Sequence, residues 1–401
     1  MLPPPAARII RTFREPVWLT EDRVRAVCGL GASAFAGAAA VLLAIGGGRD
    51  PWIGFDFASF WSASVLLLEG RPLAVYDTQA HFAVQLRHFD GVVPGWSAFF
   101  YPPVYLLVCA PLAVLPYGIA LILWVVATTA ALAAGVVRMA GRAAIVPVLA
   151  FPAIWVNAGF GQNGALSAAL LAWGAWLIDR RPVLAGICFG SLCYKPQIAL
   201  AVPVALLAAR RWRVSAAACT TVIAWAAVAT FAFGRDIWAA FLRQAPIARE
   251  GLEAGEAGFE KIVSIFAAAR MLGLPPATAY AVHGAMAALA AAALIALTWR
   301  RPGGLAEGAT ICAATLFLSP FLLVYDLAIV VLPMAWFVLR LRADGKTLPW
   351  EVIGLVLLGF TPLLAWSLTR LLGVQAAPLV ALLLFVLVAR RLHVEARRRL
   401  A

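Results

Sequence analysis

Charge is scarce in this sequence. Asp, Glu, Lys and Arg make up only 13% of its 401 residues, while 64% are apolar; an ordinary soluble domain carries about 25% charge. The mean hydropathy of +0.91 is sustained along the chain in apolar runs with short basic or Gly/Pro punctuation, which excludes a soluble enzyme with one anchor. The apolar/polar alternation of an outer-membrane barrel strand, about ten residues long, is also missing. There is no Walker loop, no GxSxG elbow and no dinucleotide fingerprint. The four histidines show no HxxxH or HExxH spacing: His81 and His88 stand seven apart, His283 sits in an apolar run and His393 in a basic tail. The six cysteines (28, 109, 188, 193, 219 and 312) form no CxxC and read as buried free thiols. Residues 1 to 23 hold Arg8, Arg11, Arg14 and Arg23 but no short apolar core of a cleaved signal, so the first run, Val24 to Ile45, reads as an uncleaved anchor.

What is present is a series of apolar segments that can enter or cross a hydrocarbon layer of about 30 Å. They fall near 24–45, 103–137, 143–157, 164–178, 183–209, 214–233, 278–298, 305–341, 349–369 and 375–390. Proline breaks two of them, at Lys195-Pro196 and Ser319-Pro320. The expectation is an all-α polytopic membrane protein of ten to twelve transmembrane or re-entrant helices, one domain over residues 1–401. The formal net charge of +13 belongs to basic clusters at helix ends: Arg8 to Arg25, Arg138/Arg142, Arg180/Arg181, Arg210/Arg211/Arg213, Arg300/Arg301, Arg340/Arg342/Lys346 and Arg390 to Arg399. The positive-inside rule makes these cytoplasmic, so the charge is not read as nucleic-acid binding. Arg138 complicates the count: it lands outside if 103–115 crosses fully and inside if that segment is re-entrant. Two polar stretches, about 46–102 and 234–277, read as long periplasmic loops. The first is acidic on balance despite Arg49, because Asp50, Asp56, Glu69, Asp77 and Asp90 outnumber its arginines; the second carries a short amphipathic helix around Phe259 to Leu272.

Several polar residues stand where they are costly. Asp56 lies among Phe55, Phe57, Phe60 and Trp61 right after the first run; desolvation there raises a carboxylate toward the range of a useful base, and a helix N-cap or an arginine partner is the alternative. Tyr101-Pro102-Pro103 fixes an extended start for the next helix. In Asn157-Ala158-Gly159-Phe160-Gly161-Gln162-Asn163-Gly164, glycines allow close approach of a polar ligand and Gln162 and Asn163 offer hydrogen bonds, although a self-satisfied tight turn fits as well. Lys195, deep in an apolar run, costs a few kcal/mol without compensation; it suits either an anionic lipid phosphate or a buried ion pair, for which Asp326 is a candidate counter-ion. Glu260-Lys261 presents a cation on the same side or a solvated surface. A transporter or flippase of lipid-linked sugars, with Lys195 and Asp326 as an ion-coupling pair, competes with an enzyme here; the acidic aromatic loop favours the enzyme.

Taken in order, Asp56-Phe57 with Phe60-Trp61, Gly70-Arg71-Pro72 with Tyr76-Asp77, Tyr101-Pro102-Pro103, Gly161-Gln162-Asn163-Gly164, Ala185-Gly186 with Tyr194-Lys195-Pro196-Gln197, Glu260-Lys261, and Ser319-Pro320 with Tyr325-Asp326 resemble the family 87 glycosyltransferases of the GT-C superfamily. The resemblance implies a GT-C-type fold in a bacterial-type inner membrane. It also implies an inverting transfer of a mannose-like hexose from a polyprenyl-phosphate donor to a lipid or glycan hydroxyl, with Asp56 as base. Lys195, Lys261, Gln162, Asn163 and Tyr101 are then the donor or phosphate contacts, with Asp326, Tyr325, Gln197 and His81 behind them. No resident cofactor is implied, and relatives differ in their use of a divalent metal. Mannosyltransferase relatives tend to carry histidine after the later Ser-Pro, where this chain has Tyr325-Asp326.

Overall fold

The computed structural model describes residues 5–46, 53–93, 95–345 and 347–398; Arg49, Asp50, Lys346 and Arg399 lie outside them. The all-α expectation holds: 78% is helical, and the described residues contain no strand, only one isolated antiparallel bridge between Ile262 and Leu323. Six helices are long and apolar enough to cross a membrane, or up to eight if two sharply bent pairs, Arg142–Ala150 with Pro152–Phe160 and Glu351–Gly359 with Thr361–Leu372, each count as one span. Shorter apolar helices complete the bundle, among them Gly164–Leu177, Pro182–Tyr194, Pro196–Ala208 and Gly304–Leu318. The prolines act as expected: the helical path breaks at Lys195-Pro196, and Ser319 is extended where Gly304–Leu318 ends.

Helix Tyr117–Ala140 brings Arg138 to an end where Arg342 donates to the Ala140 carbonyl. Pro103–Val114 is a short, two-part helix, about 18 Å long at 1.5 Å per residue, too short for a layer of about 30 Å. By length, the segment 103–115 is not a full crossing by itself. Ion pairs staple the basic helix ends together. Arg391, 2% exposed, binds Glu351 at 3.0 Å and Asp344 at 2.7 Å, and Arg211 binds Glu307 at 2.7 Å and Asp179 at 2.8 Å. Followed along their helices, these ends all lie opposite the turns at Gly54, Gly161 and Ser319.

Two expectations need correction. The described residues of the stretch 46–102 are not a plain loop: Phe57–Leu68, a 3-10 turn Pro72–Tyr76 and Thr78–His88 fold within it, because its aromatics bury against Tyr105, Tyr117 and Trp124. Asp77 caps Thr78–His88, its Oδ1 accepting the Ala80 N–H at 2.8 Å. The amphipathic helix placed at Phe259 to Leu272 spans only Ile265–Met271, begun by Ser264 as N-cap. Residues 259–263 instead run as a turn whose Val263 N–H reaches the Leu322 carbonyl, while Val324 N–H reaches that of Lys261. The cysteines are all free, but Cys219 is exposed on a membrane-spanning helix and only Cys109 and Cys312 are fully buried.

Candidate active site

Two backbone bonds splice the first polar segment onto the end of helix Pro152–Phe160: Gly54 N–H to Gly159 O at 2.9 Å and Asp56 N–H to Phe160 O at 3.1 Å. Tyr117 locks the same turn through its hydroxyl on Gly54 O at 2.7 Å. Gly161 ends the helix at φ +66°, where an added Cβ would fall 2.6 Å from Phe57 Cβ; only glycine lets these backbones meet. The result is that Gln162 faces Asp56.

Asp56 occupies the N-cap position of Phe57–Leu68 yet makes no cap bond, and no arginine pairs with it among the described residues. Its Oδ2 accepts instead from Gln162 Nε2 at 3.0 Å. Gln162 Oε1 in turn accepts the Tyr101 hydroxyl and the Asn163 N–H, each at 3.1 Å. Both ends of that amide are therefore committed, and its orientation is fixed. Burial pushes the Asp56 carboxyl up to about 6, against the opposing pull of the Gln162 bond, the charges of Lys261 and Lys195, and the Tyr325 phenol. Burial also holds the Tyr101 phenol well above its ordinary value, so it remains a donor at neutral pH. Asp56 keeps partial contact with the exterior: it is recessed, not sealed.

The two lysines differ. Lys195, 2% exposed, is spent on Asp326 Oδ1 at 2.6 Å and Asn163 Oδ1 at 2.9 Å; Asp326 Oδ2 accepts the Leu323 N–H at 3.2 Å. Lys261 is half-buried and has no carboxylate within ion-pair distance among the described residues; its Nζ lies 5.5 Å over the Phe160 ring, and its charge reaches Asp56. Gln375 fixes the turn that carries Lys261, donating to the carbonyls of Phe259 at 2.9 Å and Ile262 at 3.0 Å.

Of the chain's seven tyrosines, six gather around this place: Tyr76, Tyr101, Tyr105, Tyr117 and Tyr194 in one buried cluster, and Tyr325 beneath Lys195. His81 stands behind it, Nε2 on Ser59 O at 3.0 Å and Nδ1 receiving Trp96 Nε1 at 3.2 Å; burial holds it down to about 4, so the ring is neutral and structural. Gln197 makes no side-chain hydrogen bond to the other site residues. Among the described residues no three His, Cys, Asp or Glu side chains converge as metal ligands. Sequence reasoning passed over Tyr105, although it follows Tyr101 by only four residues, and Phe160, which sits in the turn motif. For Trp366, stacked on Phe160 with ring centroids 6.3 Å apart, no local signal existed.

A family model described as glycosyltransferase family 87 matches residues 99–324, more than half of the chain. The chain belongs to glycosyltransferase family 87. The matched span holds Tyr101, Gln162, Asn163, Lys195 and Lys261, while Tyr325 and Asp326 follow directly after it and Asp56 precedes it by some forty residues. Comparisons with curated proteins and with solved structures found no match. As a family 87 member the protein is a glycosyltransferase with membrane-spanning helices, and the transporter reading gains nothing from the match.

Proposed function

We propose that this glycosyltransferase moves a hexose, mannose-like in class, from a polyprenyl-phosphate donor to a hydroxyl of a lipid or glycan acceptor, with inversion, at the periplasmic face of an inner membrane. The observation that carries the reading is the recessed, raised carboxyl of Asp56, which neither caps its helix nor pairs with an arginine and is presented by Gln162. In the proposed step, the acceptor O–H gives its proton to Asp56 as its oxygen bonds the anomeric carbon. The bond from that carbon to the phosphate oxygen breaks, and its electron pair leaves with polyprenyl phosphate. One displacement inverts the anomeric centre.

Lys261 offsets the charge growing on the departing phosphate, the kind of electrostatic stabilisation that usually contributes most. Lys195 positions the site: held by Asp326, it fixes Asn163, whose N–H orients Gln162. Tyr101 completes that orientation. The outward face is supported by the basic helix ends lying opposite the site, which the positive-inside rule assigns to the cytoplasm.

The test is transfer by the purified full chain in detergent, without an ion gradient, from a panel of polyprenyl-phosphate sugars and of nucleotide sugars. Transfer from a polyprenyl-phosphate hexose with an inverted product is expected. Transfer from nucleotide sugars, or retention of configuration, overturns the reading.

A further inference from the structure

The helix Thr361–Leu372 lies outside the matched family span and carries a cation that the mechanism above does not use. Its last turn holds Arg370, exposed and without a carboxylate within ion-pair distance among the described residues; its guanidinium lies 5.5 Å over the Trp366 ring. Trp366 stacks nearly parallel, at 16°, on Phe160. Phe160 in turn lies under Lys261 and supplies the carbonyl that holds the Asp56 N–H. Two cations therefore flank one aromatic stack, Arg370 at the outer end and Lys261 beside Asp56. Three residues beyond the helix, Gln375 grips the Lys261 turn, so helix and inner cation are mechanically joined.

The surroundings of Arg370 are apolar and open. Leu363 is 42% exposed, Leu371 79% and Leu372 63%; Leu363 and Leu371 share a face with the exposed Ser367 between them. A half-helix with an exposed leucine edge and an unpaired arginine is suited to the membrane interface, where the guanidinium meets headgroups and the leucines meet chains. An arginine in that setting matches a phosphate better than a lysine does, because its planar fork bonds two oxygens at once.

We infer that Arg370, propped on Trp366, is the outer contact for the phosphate of a lipid-linked substrate, which passes along the Phe160–Trp366 stack to Lys261. The shared chemistry is a phosphate on an apolar chain. The inference rests on the proposed polyprenyl-phosphate donor, and it adds a residue that acts in capture and not in bond making.

The experiment uses the full chain in nanodiscs of neutral lipid, comparing wild type, Arg370→Gln and Arg370→Lys. For Arg370→Gln, the donor KM and the inhibition constant of polyprenyl phosphate both rise about tenfold, the equivalent of one lost charge-assisted bond, while kcat stays within about twofold. Arg370→Lys falls between the two. Polyprenol without phosphate inhibits all three alike, and inorganic phosphate at matched concentration inhibits none. Unchanged KM and inhibition in Arg370→Gln overturns the inference while leaving the donor intact, and so does a fall in kcat alone. Equal inhibition by inorganic phosphate replaces the lipid headgroup with free phosphate as the ligand and also overturns it. No transfer by wild type from any polyprenyl-phosphate sugar removes the donor reading and this inference with it.

Discussion

An aspartate at the start of a helix ordinarily turns its carboxylate onto the first free N–H groups. Asp77 does so; Asp56 leaves that role undone and meets Gln162 instead. Because only the ionised form can accept a proton from the acceptor, transfer rises with pH through about 6 and levels off above it. Gln162 favours the charged form, so Gln162→Ala removes a stabilising bond and moves the half-point upward. The pH profile of kcat/KM checks both; a rate flat between about pH 5 and 7 contradicts the assignment. Asp56 was legible in the sequence because a lone carboxylate among four aromatics needs a reason. Its partner was not, since Gln162 lies 106 residues away and nothing local ties the two together. Lys195 was legible as a costly charge with Asp326 as a candidate counter-ion, and the structure pairs the two; the contact with Asn163 had no local signal.

The Lys195–Asp326 pair joins two breaks in helical structure, the one before Pro196 and the 3-10 segment Val324–Val330, across 131 residues of chain. Removing one member leaves a buried charge unmatched, so Lys195→Met lowers stability by about 3–5 kcal/mol. The double change Lys195→Met with Asp326→Leu recovers most of that loss, although the Leu323 N–H loses its acceptor. Thermal unfolding in detergent measures this, and additive losses contradict a direct pair. The breaks themselves were readable, because proline forces them. The helices within 46–102 were not: charged residues at their ends gave the segment the composition of a loop, while the buried faces of Phe57, Phe60 and Val84 find partners only in distant helices. The segment at 259–263 likewise looks helical in isolation, and its bridge to Leu323 decides otherwise.

At the scale of the whole molecule, the staples at Arg211 and Arg391 gather the basic helix ends on one side and leave Asp56, Lys261 and the tyrosine cluster on the other. With Cys219 replaced, a cysteine at the exposed Glu250 therefore reacts with a membrane-impermeant thiol reagent added to spheroplasts. One at the exposed Arg300 reacts only after lysis; the reverse pattern places the site in the cytoplasm. The all-α polytopic class followed from hydropathy alone, whereas the shortness of Pro103–Val114 was hidden in the sequence because its apolar run continues unbroken into the next helix. The central claim is that Asp56 is the base of a transfer from a lipid-linked sugar, and single-turnover transfer by wild type and Asp56→Asn, with donor affinity measured on the same preparations, tests it most directly. The account predicts that donor binding is retained while the rate falls by about 10²–10⁴; a variant that transfers at the wild-type rate contradicts it.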